Sequence, residues 1–125
     1  MILMLSRLCA AAILVAASTQ ALSAQPQFIS TADLLAAYDQ GDTNARQLIL
    51  LGLSQVEGGM AVANVELQAK GAAPLYCVPP QLVLTGEQIM DIVRRYAAAH
   101  QDIGQSSYTV AVLKAAEDVF PCRGR

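Results

Sequence analysis

Three cysteines and one histidine are the residues of this 125-residue chain best suited to nucleophilic or metal chemistry. Cys77 stands in the stretch "APLYCVPPQLVLTGEQ", ahead of Val78 and the rigid pair Pro79–Pro80. A cysteine so placed can be a nucleophile, a metal ligand or half of a crosslink. As a nucleophile it needs a base, and the single histidine, His100, lies at the far end of the following helix, roughly 20 Å away at about 1.5 Å per residue. As a ligand it lacks companions: there is no C-x-x-C or H-x-x-x-H spacing, and zinc would still want a fourth donor. The chain has no P-loop, no G-x-G-x-x-G and no G-x-S-x-G. The acidic pairs Glu87–Asp91 and Glu117–Asp118 fall on polar helix faces, where solvated charge is the ordinary explanation. These residues predict a protein that is not an enzyme and carries no cofactor or metal.

The ends and the composition set the compartment. Arg7 precedes an apolar run from Leu8 to Ala17, followed by the small and polar residues 18–24. This is the layout of an export signal cleaved after Ala24, with Ala21 as the alternative; Cys9 is lost with it. The run is too short for a membrane span, which takes roughly 20 residues, and no later stretch reads as long and apolar enough. The processed chain, residues 25–125, suffices for a single domain. Its seven basic residues face ten acids, without a basic run or a tryptophan. That argues against nucleic acid and against anionic lipid surfaces. Two cysteines remain, Cys77 and Cys122, and an exported chain with one pair most simply joins them.

The elements that must position these groups are helices, and no strand pattern stands out. The expected fold class is an all-α bundle of about four helices. Ser30 caps the first, which Gly41 ends. The second starts at Asp42 or Thr43 and runs towards Lys70. Its residues Ala45, Ile49, Gly52, Val56, Met60, Ala63 and Leu67 recur as one buried stripe. Being apolar nearly all round from Leu48 to Leu53, it reads as the central core helix. Gly58–Gly59 interrupts it and signals a kink, a break or a closely packed neighbour. Thr85 and Gln88 form a capping box for the third helix, stapled by Leu84 on Ile89, with Asp91 set to meet Arg94 and Arg95. The fourth starts at Ser106 or Ser107, presents Thr109, Val112, Leu113, Ala116, Val119 and Phe120 on one face, and stops before Pro121.

The third and fourth helices are of similar length and joined by a short polar loop containing Gly104, so they should form an antiparallel hairpin. Cys77 precedes the one and Cys122 follows the other, and the hairpin brings the two thiols to the same end. Their disulfide would close about 45 residues and stabilise the fold by roughly 4 kcal/mol. Tyr76 is expected to pack beside it.

The pattern "LYCVPP", then "LTGEQIMDIVRRYAAAH", then "VFPC", resembles the Rap/Tai family of immunity proteins against type VI secretion amidase effectors. The upstream "LILLGLSQVEGG" is similar to that family's apolar helix with a central glycine, here Gly52. The resemblance covers about Leu48 to Cys122. It implies a small all-helical periplasmic protein, often dimeric, that binds a peptidoglycan-cleaving amidase and blocks its active site. On that pattern Cys77 and Cys122 match the family's disulfide, and Pro79 and Pro121 its prolines. Further cysteines that such proteins carry near the first two helices are missing here.

The expected function is therefore inhibitory binding, with Tyr76, Pro79, Pro80, Gln81 and Leu82 as candidate contacts. Segment Lys70–Leu84 is long for a connection, and such loops are usually functional or disordered. Leu82, Val83 and Leu84 could equally cover the core. The alternative is a small disulfide-containing periplasmic chaperone or stress protein, against which a charged content of 14% counts modestly.

Overall fold

The computed structural model describes residues 27–123. The expected export signal and its cleavage site lie outside them. Among the described residues there are four α-helices: α1 (Thr31–Gln40), α2 (Thr43–Ala69), α3 (Gly86–Ala99) and α4 (Tyr108–Val119). The loop between α3 and α4 winds into a 3₁₀ turn, Gln101–Gln105. No strand occurs among the described residues; one isolated bridge joins Ser30 and Ser107. The all-α bundle expected from periodicity is the architecture found.

Local chemistry sets the helix ends. Ser30 accepts from the Asp33 N–H, and Asp42 accepts from the Ala45 N–H at 2.9 Å. At α3 the capping box is complete: Gln88 N–H donates to Thr85 Oγ1, and Thr85 N–H donates to Gln88 Oε1. These bonds satisfy donors that a helix start leaves orphaned. Gly41 ends α1 as expected, in an extended conformation with φ −72° and not in a left-handed one. A Cβ there would sit 2.7 Å from the Ala37 carbonyl oxygen, so glycine is kept for space. Arg46 then covers the end of α1, donating to the Tyr38 and Asp39 carbonyls.

The core is one cluster in which Leu53, Ile89, Val93, Ala111, Val112 and Ala115 are almost wholly buried. Leu84 and Ile89 both belong to it, as the staple requires. The buried face of α4 overlaps the expected one and is shifted from it. Val112 and Ala116 are buried as expected and Phe120 packs on the core, but Ala111 and Ala115 join them and Val119 is exposed. Small alanines let α4 approach α3 closely, and that outweighs the larger side chains on the neighbouring stripe. Gly86 does the same job between α3 and α2: a Cβ there would lie 2.5 Å from the Leu50 carbonyl oxygen. Arg95 meets Asp91 at 2.9 Å as expected, but Arg94 reaches across to Asp39 at 2.7 Å. The Arg94 guanidinium holds the Asp39 carboxyl below its ordinary value.

α2 departs most from its sequence reading. It runs unbroken through Gly58–Gly59, so the pair does not end a helix. Among the described residues nothing packs against either glycine: a Cβ on each would meet none of their atoms within 4 Å. Only Leu53 of this 27-residue helix is fully buried, so α2 lies along one side of the bundle instead of through its centre. It also contradicts the expectation that no later stretch is long and apolar enough to cross a membrane. An 18-residue window of α2 has a mean hydropathy of 1.4.

Candidate partner-binding surface

The segment from Lys70 to Leu84 has no helix or strand of its own, yet it is fastened at close intervals. α2 closes in a Schellman motif, with Ala72 N–H on the Leu67 carbonyl at 2.8 Å and Gly71 N–H on the Gln68 carbonyl at 2.9 Å. Gly71 takes the left-handed φ of +70° that this motif puts at the position after the cap. The chain then doubles back along α2. Asn64 grips it with both ends of its amide: Leu75 N–H donates to Oδ1 at 2.6 Å, and Nδ2 donates to the Tyr76 carbonyl at 3.1 Å. A mid-helix asparagine thereby replaces the backbone partner an extended segment lacks.

Tyr76 is 2% exposed and points inward, its hydroxyl donating to Glu57 Oε1 at 3.4 Å. Burial, reinforced by the nearby Glu57 carboxylate, pushes its phenol up to about 12. Cys77 follows, tied twice to the end of α4. Its N–H donates to the Phe120 carbonyl at 2.8 Å, and its sulfur is bonded to Cys122 with Cα atoms 5.0 Å apart. The expected pairing is thus the one found, and Cys77 is not free to act as a nucleophile. His100 is occupied elsewhere, stacked on Tyr96 with centroids 4.0 Å apart.

Beyond the disulfide the chain makes a tight turn, closed by Leu82 N–H on the Pro79 carbonyl at 2.9 Å. Pro80 takes the second turn position, where its fixed φ is preorganised. Pro79, Pro80, Gln81 and Leu82 are exposed, and Val83 is 83% exposed. The turn stands between two hollows. One, of about 450 Å³, lies towards α2 and is lined by Ala61, Val65, Tyr76, Leu82 and Val83 among others. The other, of about 560 Å³, lies towards the end of α4 and is lined by Phe120, Pro121 and Arg123.

Of the five candidate contacts, the structure places Pro79, Pro80, Gln81 and Leu82 together on this ridge. Tyr76 is removed from the contact surface by its burial and forms the floor beneath. The three apolar residues left open by the sequence divide: Leu84 enters the core, while Leu82 and Val83 remain outside. Sequence reasoning missed the anchors Asn64 and Glu57. The available signal was two polar side chains a helical interval apart, seven residues, inside an otherwise apolar run. Comparison with family models, with curated proteins and with solved structures returned no match.

Proposed function

We propose that this chain is an inhibitory binding protein of the periplasm, an immunity protein that occludes the cleft of a type VI secretion peptidoglycan amidase. The observation that carries the reading is the Pro79–Leu82 ridge. It is exposed, it is flanked by hollows, and it is held by a disulfide, an asparagine clamp and a proline turn. A ridge already ordered enters a partner's cleft with little further loss of conformational freedom, and that saving goes directly into affinity. The "LYCVPP" to "VFPC" resemblance supplies the partner class, and a disulfide between those cysteines is compatible with export.

One observation favours the chaperone alternative: α2 exposes Leu48, Leu51, Val62 and Val65, a surface suited to apolar clients. Periplasmic co-expression with small cell-wall amidases separates the two. The immunity reading expects at least one amidase to be bound and its lysis suppressed, and Gln81→Arg to weaken that binding at least about tenfold with unchanged helicity. If no amidase is bound while misfolded clients are kept soluble, the reading fails.

A further inference from the structure

Glu57 is the only charged residue between Gln47 and Val65, in the apolar middle of α2. Asp39, Glu66, Asp91 and Glu117 each pair with a basic side chain. Among the described residues none pairs with Glu57. The Tyr76 hydroxyl donates to its Oε1 over 3.4 Å, longer than the ordinary hydroxyl bond of about 2.7 Å. A carboxylate has about four acceptor positions, so most of this one's capacity is open. Holding Tyr76 does not explain the charge either, since a glutamine would accept that bond equally well.

The surroundings give the charge a use. Glu57 lines the hollow of about 450 Å³ between α2 and the ridge, within the range of about 300–1,000 Å³ usual for small-ligand sites. Most of the other walls are apolar, Val65, Val78, Leu82 and Val83 among them. Asn64 and Tyr76 turn their polar groups to the chain itself. Glu57 is thus the hollow's one charged lining residue among those described, and the clamped backbone of Leu75 and Tyr76 keeps the site in shape.

We propose that this hollow seats a basic side chain of the partner, a lysine or an arginine. Its methylene stem lies against Val65, Leu82 and Val83, and its cation meets the Glu57 carboxylate. Long basic side chains lay their stems on apolar surface and keep the charged head on a polar group. Glu57 is half-buried, so salt screens the pair less than one in open solvent. The hollow on the far side of the ridge has the opposite preference, because its charged lining residue is Arg123. The ridge therefore has a polarity. A partner docks with its cation on the α2 side, and the reversed orientation sets like charges together. The inference rests on the amidase reading for the partner's identity alone.

NMR titration of the purified, disulfide-intact protein tests it without any amidase. The probe is N-acetyl-arginine methylamide, and its uncharged isostere is N-acetyl-citrulline methylamide. The arginine compound should shift the Val65 and Val83 methyl signals saturably, with a Kd at least about fivefold below that of the citrulline compound. Glu57→Gln keeps an acceptor for Tyr76 and should erase that preference with unchanged helicity. A Glu57 that served Tyr76 alone would leave it in place. No shift at the two valines, equal affinity for both probes, or a preference that survives Glu57→Gln overturns the proposal. The amidase reading fails separately. A bound amidase whose affinity Glu57→Gln leaves unmoved overturns this proposal and spares that reading, whereas an absence of any bound amidase removes the reading and leaves the probe result in force.

Discussion

Leu53 and Leu51 sit two residues apart on one helix and in opposite surroundings: the first is wholly buried, the second more than half exposed. The two faces of α2 are similarly apolar, yet among the described residues only one is covered. Hydrophobic periodicity therefore reports that a face is to be covered and says nothing of what covers it. The glycines draw the same contrast. Gly86 is required because the Leu50 carbonyl presses on it, whereas Gly58 and Gly59 face open space.

Breaking the staple should produce the largest effect. Replacing Cys77 and Cys122 by serine should cost about 4 kcal/mol by the loop-closure argument, read by denaturant unfolding under identical conditions. The contrast between the faces of α2 comes next. Leu53→Ala should destabilise by about 3 kcal/mol, while Leu51→Ala should change the stability of the protein by less than about 0.5 kcal/mol. Equal effects would abolish the distinction between the two faces. Gly86→Ala should cost roughly 2 kcal/mol through overpacking against Leu50. Gly59→Ala should move the other way, stabilising the protein by up to about 1 kcal/mol through helix propensity.

The smallest effect concerns Tyr76. Its phenol is raised from 10.0 to about 12 in the folded protein, so folding favours the neutral form. That contribution is fully present below pH 10 and is lost as pH rises through about 12. Phenolate absorbance should show one tyrosine titrating late in the parent protein and not in Tyr76→Phe, whose stability should fall less between those two pH values.

Much of this was legible in the sequence because it is local. The Ser30 and Thr85 caps, the start of α2 at Asp42 or Thr43, the stop at Pro121 and the hairpin that joins Cys77 to Cys122 follow from side-chain chemistry within a few residues and one topological step. What escaped was set by distance. Arg94 prefers Asp39, 55 residues away, to Asp91 on its own helix, and no pattern within α3 shows that. The rotation of α4 depends on how closely its alanines can approach α3. Of the ridge, the prolines and the disulfide were readable, while the Asn64 clamp and the inward turn of Tyr76 needed the folded chain. The exposed side of α2 was misread as core for the reason Leu51 and Leu53 illustrate.

Co-expression in the periplasm with small cell-wall amidases tests the ridge most directly. The parent protein should bind at least one amidase and suppress its lysis, and Gln81→Arg should weaken that binding at least about tenfold with unchanged helicity. Equal binding and protection by the parent and by Gln81→Arg, or no amidase bound at all, would contradict the account.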